Sequence, residues 1–177
     1  MTHVLGIDVS KAKLDVALRR PDGKLRSKVV QNSPSGFVAL TAWLDTHGVH
    51  RLHACMEATG IYWEAVAAYL ADAGHTVSVV NPAQIKAFGG AGLVRTKTDR
   101  VDAKLIAAFC VAQCPPPWQA PPPAVRALRA LVARRDALDA MRTQERNRLG
   151  VADQNVRPGI EAHLTYLEQA LTDIEAA

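Results

Sequence analysis

Three short strand-like segments follow one another within the first 31 residues, with no room for a helix between them. Residues 3–9 are apolar and β-branched, 14–18 alternate apolar and polar side chains, and 25–31 follow a Pro-Asp-Gly turn. Strands connected this closely pair antiparallel, because a parallel connection needs a crossover of about a dozen residues. The opening of the chain therefore predicts an antiparallel meander of three strands.

The next part of the chain alternates helices with single strands. One helical pattern begins after Ser33-Pro34 and another at Gly60, and the strands that follow them occupy 51–57 and 75–80. Strands separated by helices in this way pair in parallel. Five strands in the order β-β-β-α-β-α-β, followed by a further helix, predict an α/β fold of the ribonuclease-H-like class, with a mixed five-stranded sheet and flanking helices.

Glycine and proline mark where regular structure is expected to stop. The run Gly89–Gly92 predicts a loop, and the helix after it is expected to run from Thr98 or Asp99 to about Gln113. Two proline triplets then predict a stiff extended linker, beyond which a helical, coiled-coil-like extension begins. The predicted division is a domain at 1–113, a proline-rich linker at 114–123 and a helical extension at 124–177.

Composition argues against several classes of protein. The longest apolar runs hold about eight residues, whereas a bilayer span needs roughly 18, so no association with a membrane is expected. The N-terminal residues do not have the pattern of a signal peptide. Three cysteines are too few, and odd in number, for a disulfide framework, which favours a reducing cytoplasm.

Positive charge is concentrated in one stretch of the chain. The net charge is +4, and residues 120–150 hold seven arginines against three acidic residues, whereas 151–177 hold one arginine against five acidic residues. Arginine can bind phosphate through two parallel hydrogen bonds, so this stretch is a candidate nucleic-acid contact. A solvated helix face is the alternative. The candidate side chains are those of Arg134, Arg135, Arg142, Arg146 and Arg148.

The same stretch carries apolar residues at helical spacing. Arg135 and Arg142 intrude into a broken seam of the coiled-coil type, which is formed by Leu128, Leu131, Leu138 and Met141. This pattern favours a helix shared between a partner helix and RNA, and therefore a homodimer or a larger homo-oligomer. Packing of the helix against the protein's own surface is the alternative.

Two acidic residues lie in predicted strands. Asp8 stands between Ile7 and Val9, whose side chains point to the opposite face of the strand, and Glu57 ends the fourth strand. A carboxylate on a core strand is costly unless a cation or hydrogen bonds compensate it. The first and fourth strands can be neighbours in a mixed sheet, which would bring Asp8 and Glu57 side by side. Taken singly, Asp8 could instead be a turn former and Glu57 a surface residue.

A second acidic pair, Asp99 and Asp102, has the i, i+3 spacing that puts both residues on one face of a helix, in its first turn. Taken alone, this pair is more typical of a helix cap. Together with the two strand acids, it matches two-metal phosphodiester chemistry, which takes carboxylates from several elements. Oxygen ligands favour Mg²⁺ or Mn²⁺ over softer metals, so the four acids are candidate metal ligands and catalytic residues.

Five short motifs occur in a fixed order along the chain. They are Gly-Ile-Asp-Val-Ser-Lys from Gly6, Glu-Ala-Thr-Gly-Ile-Tyr from Glu57, Val-Asn-Pro from Val80, Lys-Thr-Asp-Arg-Val-Asp-Ala from Lys97 and Asn-Arg-Leu from Asn147. Together they closely resemble the DEDD transposases of bacterial insertion sequences. The resemblance covers residues 4 to about 150, and implies a RuvC-like catalytic domain followed by a coiled coil.

The resemblance also implies a chemistry. The resemblance implies that Mg²⁺ is bound by Asp8, Glu57, Asp99 and Asp102. It also implies that the protein cleaves and exchanges DNA strands at insertion-sequence ends, guided by a structured RNA of the bridge type. Lys11 and Lys97, which belong to two of the motifs, become candidates for phosphate contact; a solvated loop lysine is the alternative. The family's nucleophile is a serine in a second domain that this sequence, ending at Ala177, does not reach. A fragment or a truncated product is therefore expected.

Two other functions stay open. Gly-Ile-Asp-Val-Ser at the start of a strand meander also resembles the first phosphate motif of actin-like ATPases, but a second such motif is not visible. A catalytically incomplete module that binds nucleic acid and dimerises is the other alternative. Metal-dependent cleavage of DNA would argue against that module.

Overall fold

The computed structural model describes residues 3–91 and 103–177, which form two compact units, Met1–Ala120 and Pro121–Ala177. Asp99, Asp102 and Lys97 lie outside the described residues. The elements of the first unit are β1 (His3–Val9), β2 (Lys13–Arg19), β3 (Leu25–Gln31), α1 (Pro34–Asp45), β4 (Leu52–Glu57), α2 (Glu64–Asp72), β5 (Thr76–Val80), α3 (Pro82–Ala91) and α4 (Ala103–Gln113).

The five strands form one mixed sheet in the order β3-β2-β1-β4-β5. The first three strands pair antiparallel, as two hairpins. β4 then pairs in parallel with β1 on one side and with β5 on the other. This strand order, with these directions, is the ribonuclease-H-like arrangement, so the predicted fold class is confirmed.

The sheet separates two apolar cores. On one face, Leu5 and Ile7 pack with buried residues of α1 and α2, such as Leu40 and Leu70. On the other face, Val4, Cys55 and Val80 pack with residues of α3 and α4. Side chains two positions apart in a strand share a face, so the face that carries Val4 also carries Gly6 and Asp8.

Two glycine-containing segments differ from their predicted structure. Gly60 was expected to begin a helix, but it has a φ of +60° in a turn, and α2 begins at Glu64. Gly89 and Gly90 were expected in a loop, but they continue α3. A Cβ at Gly89 would lie 2.9 Å from Leu105 Cδ2, so the absent side chain allows α3 to approach α4 closely.

The first proline triplet lies along β5. The Trp118 backbone N–H donates to the Val77 carbonyl oxygen at 2.7 Å, and the Trp118 ring packs edge-on against Trp63 with centroids 5.5 Å apart. Ser78 Oγ donates to the carbonyl oxygens of Pro115 and Pro116, at 3.0 and 2.9 Å. This part of the predicted linker is thus packed within the first unit. The three-part division of the chain stays a prediction.

The second unit is a pair of helices, α5 (Pro123–Val151) and α6 (Arg157–Glu175). Their shared apolar core is small, with Leu138 of α5 buried against Leu167 and Leu171 of α6. Within residues 3–91 and 103–177, no helix is both long and apolar enough to cross a membrane.

Candidate metal and catalytic site

Asp8 and Glu57 occupy neighbouring positions at the same edge of the sheet. In the parallel pairing of β1 with β4, Ile7 lies beside Met56, so the next residue of each strand continues the same register. Glu57 is two residues after Cys55, whose side chain faces α4, and Asp8 is two residues after Gly6. Both carboxylates therefore belong to the face of the sheet that α4 covers, at the carboxyl ends of their strands.

The two oxygens of Glu57 have different surroundings. Oε1 accepts a hydrogen bond from Thr59 Oγ1 at 3.1 Å. Oε2 is buried, and within the described parts of the chain it has no hydrogen-bond partner. A buried carboxylate oxygen without a donor is costly, and a cation would compensate it. Hard divalent cations take oxygen ligands of this kind, so Glu57 fits a role as a metal ligand.

A third carboxylate, which the sequence analysis did not identify, lies in the same row. Asp15 of β2 is the antiparallel partner of Asp8, and residues paired in this way share a face. Lys13 Nζ lies 2.8 Å from Asp15 Oδ2 and offsets its charge. The alternation of apolar and polar residues in β2 could have placed Asp15 on this face, because Asp15 is two positions from the inward-facing Ala17. Even so, the described residues contain no group of three His, Cys, Asp or Glu side chains close enough to hold a metal ion.

α4 approaches the sheet at Gly6, where a Cβ would lie 2.1 Å from the Ala103 carbonyl oxygen and 2.4 Å from the Ala107 backbone nitrogen. Its later residue Cys110 belongs to the core cluster that contains Cys55 and Val4. The helix therefore starts near the carboxyl ends of β1 and β4 and runs back across the sheet. In sequence, Asp102 is the residue immediately before Ala103.

A second polar cluster, with His53 and Cys55 of β4, Ser78 of β5 and Cys110 of α4, lies along the strands. Ser78 is fully buried, and since its hydroxyl donates to proline carbonyls, the 2.7 Å contact with His53 Nε2 has the imidazole donating to Oγ. A hydrogen bond with Cys55, reinforced by burial, raises the pKa of Cys110. A thiol held protonated is a poor metal ligand, so this cluster supports the structure of the sheet edge rather than a metal.

The candidate phosphate ligands fall in different parts of the structure. Lys11 is exposed in the turn between β1 and β2, next to the end of the strand that carries Asp8. The five candidate arginines belong to α5, in the second unit. Arg134 is exposed and has no ion pair within the described residues, whereas the other four arginines are paired with acids. The pairs are Arg135 with Asp136, Arg142 with Asp139, Arg146 with Glu168, and Arg148 with Glu145.

Comparison with known proteins gives matches to curated relatives, to solved structures and to a family model. A pilin gene-inverting protein of Moraxella lacunata is 30% identical over 173 residues, which are 97% of this chain and 53% of that protein. The counterpart of Moraxella bovis matches with the same identity and coverage. The chain thus spans about half the length of the curated relatives it matches. Among solved structures, Thermus thermophilus RuvC in complex with a Holliday junction substrate matches at 18% identity with a TM-score of 0.43, over 64% of this chain and 96% of that one.

The sequence model of a transposase family, the IS110 type of DEDD transposase, matches residues 5–152. The matched range begins in β1 and ends just after α5, so it contains both strand acids and all of the sheet except the first two residues of β1. By this match over well over half of its length, the chain belongs to the IS110-type DEDD transposase family.

Proposed function

We propose that this chain is the Mg²⁺-binding catalytic half of a DNA transposase or recombinase, acting in strand cleavage and exchange at insertion-sequence ends. Asp8, Glu57, Asp99 and Asp102 are its metal ligands and catalytic residues, with Mn²⁺ able to replace Mg²⁺. One observation carries the proposal: Asp8 and Glu57 continue one register at the sheet edge, and Glu57 Oε2 is buried without a donor among the described residues. Asp99 and Asp102 enter from the sequence pattern.

The residues of the sheet hold the acids in place before any ligand arrives. β1 and β4 fix the Asp8 and Glu57 backbones through their shared ladder, and Thr59 fixes one oxygen of Glu57. The described part of α4 packs on the same face of the sheet, against Gly6. When bound, a pair of divalent ions would supply stabilisation of the attacking and leaving oxygens of a DNA phosphate.

The partners in this proposal are DNA, a guide RNA of the bridge type and a second copy of the chain. DNA lies at the acidic edge, with Lys11 and Lys97 on its phosphates. The guide RNA lies on the arginines of α5, with Arg134, Arg135, Arg142, Arg146 and Arg148 as the contacts. Homo-oligomerisation uses the apolar residues that α6 leaves exposed, such as Leu128 and Val132. The compartment is the cytoplasm, where the three free cysteines stay reduced.

A metal titration tests the site without requiring activity. Thermal unfolding of the wild type is measured with increasing Mn²⁺, and the midpoint should rise because the ion binds the folded state. The double variant Asp8→Asn with Glu57→Gln should lose this rise. Glu64→Gln, an exposed acid at the start of α2, is the matched control and should keep it. A rise that is unchanged in the double variant would show that the site is assigned wrongly.

A cleavage assay separates the proposal from the incomplete binding module. The wild type is incubated with supercoiled DNA and Mg²⁺, and nicking is followed with and without a chelator. Two divalent ions next to a DNA phosphate can activate water and direct weak hydrolysis. DNA binding without metal-dependent nicking would favour the module instead.

A further inference from the structure

The segment 58–63, which links β4 to α2, is an ordered loop that begins directly after Glu57. The Ala58 backbone N–H donates to the Val80 carbonyl oxygen at 2.9 Å, and Thr59 bonds back to Glu57 through its backbone and its hydroxyl. Trp63 Nε1 donates to the Gly60 carbonyl oxygen at 3.0 Å, which closes the turn that the positive φ of Gly60 opens. The loop is therefore held at both ends and in the middle.

Two large apolar side chains stand on this loop and face solvent. Ile61 is 72% exposed and Tyr62 is 43% exposed, whereas Trp63 turns inward against Trp118. Single exposed apolar residues are common on protein surfaces. Two adjacent ones on a fixed loop, four and five residues after Glu57, form a small apolar surface at the acidic edge of the sheet.

One side chain ties this loop to the turn that follows Asp8. Asn32 Nδ2 donates to the Tyr62 carbonyl oxygen at 3.0 Å and to the Ser10 carbonyl oxygen at 2.9 Å. The Asn32 backbone N–H also donates to the Ala12 carbonyl oxygen at 3.0 Å. The exposed Lys11 is the residue between Ser10 and Ala12 in the sequence. A single amide thus holds an exposed cation and an exposed apolar pair beside the strand ends that carry the acids.

We infer that Ile61 and Tyr62 form a base-contacting surface, on which Tyr62 stacks against an unpaired base of the DNA while Lys11 contacts a neighbouring phosphate. Asn32 is the positioning residue that fixes the two contacts relative to each other. The inference rests on the proposed function, because the strand held in this way is the one whose phosphate reaches Asp8 and Glu57.

The size and charge of the surface favour a nucleic acid over a protein partner. A stable protein interface buries roughly 800 Å² on each side and draws on about 20 residues or more, whereas this surface has two apolar side chains. A single base offers a flat apolar face of matching size, and stacking on an aromatic ring tolerates any base sequence. The adjacent Lys11 supplies the charge that a phosphate requires.

The test uses the 177-residue chain and a DNA duplex with one unpaired 2-aminopurine, at low salt. Stacking on Tyr62 should change the fluorescence of that base on binding. Tyr62→Ala should weaken binding to this DNA roughly tenfold and abolish the fluorescence change. Tyr62→Phe should preserve both, since the ring alone is needed. Ile61→Ala should weaken binding to a smaller extent, and Asn32→Asp, which removes both amide donors, should reduce the fluorescence change.

Val38→Ala is the matched control, because Val38 is an apolar residue of α1 that is 61% exposed in the same unit. It should leave binding unchanged, and thermal unfolding should show every variant to be folded. If Tyr62→Ala and Ile61→Ala bind the DNA like the wild type, the inference is wrong while the proposed function stands. If the wild type binds no DNA, both are overturned.

Discussion

Gly6 and Ala103 are in contact through their backbones: a Cβ placed on Gly6 would lie 2.1 Å from the Ala103 carbonyl oxygen. The same Cβ would lie 2.4 Å from the Ala107 backbone nitrogen, one helical turn further on. Because these are backbone atoms, they can move only if α4 itself moves. The residue at position 6 therefore sets the distance between α4 and β1.

Gly6→Ala should accordingly destabilise the first unit by about 3 kcal/mol, since a methyl group forced into a packed contact displaces the helix. Urea unfolding followed by tryptophan fluorescence measures it, because all three tryptophans lie in that unit. Gly90→Ala is the control: a Cβ there meets nothing within 4 Å, and alanine favours a helix. Equal stability of the two variants would contradict the role of Gly6.

The fold and the acid pair could be predicted because both follow from local patterns. Short turns between the first three strands leave only antiparallel pairing, and the helices after them imply parallel pairing. The first and fourth strands can be neighbours in a mixed sheet, and such a pairing brings the acids near their carboxyl ends, Asp8 and Glu57, side by side. The structure bears out that adjacency through the register of Ile7 with Met56.

Other features depend on contacts between distant segments, which a local pattern does not contain. Gly89 and Gly90 were expected in a loop because glycine weakens a helix, but close packing of α3 on Leu105 outweighs that preference. Gly60 matches a helix start equally well by composition, and only its positive φ distinguishes a turn. The contact of Ser78 with Pro115 joins residues 37 positions apart and gives no sequence signal.

Ser78→Ala should destabilise the first unit by about 1–3 kcal/mol, because it leaves the part-buried His53 Nε2 and the proline carbonyls without their shared partner. The segment that ends at Trp118 should also loosen from β5, so tryptophan emission should shift in the folded state. Ser27→Ala, at an exposed position of β3, is the control and should change neither. An unchanged emission spectrum for Ser78→Ala would mean that the hydroxyl does not hold this segment.

His75 should make stability depend on pH in the weakly acidic range. Burial lowers its pKa below 6.5, the nearby Arg51 lowers it further, and Asp45 partly opposes the shift. The folded protein therefore binds fewer protons than the unfolded chain, so stability should fall as pH drops below about 6.5 and level off below the folded pKa. His75→Gln should flatten this dependence between pH 7.5 and 5.5, whereas His50→Gln, at an exposed site, should not. Parallel curves for wild type and His75→Gln would refute the assignment.

We expect some arginines of α5 to stabilise the second unit and others to bind RNA, depending on whether an acidic side chain pairs with them. Glu145 is buried, and its Oε1 lies 2.6 Å from Arg148 Nη1 and 3.6 Å from His163 Nδ1. Arg148→Ala should therefore cost the second unit about 1–3 kcal/mol, because it removes a hydrogen bond from a buried carboxylate. The loss should appear in unfolding followed by ellipticity and leave the tryptophan transition in place.

Arg134→Ala should affect RNA binding and not stability. This exposed arginine has no ion pair among the described residues and is available to a phosphate. Stability should be unchanged, and affinity for a structured RNA should depend less on salt. The slope of log affinity against log salt should fall by about one for each lost phosphate contact. Arg51→Ala, an exposed arginine of the first unit, is the control for loss of charge alone. If Arg134→Ala and Arg51→Ala reduce the slope equally, net charge rather than the α5 surface governs binding, and the proposed RNA contact of α5 would fail.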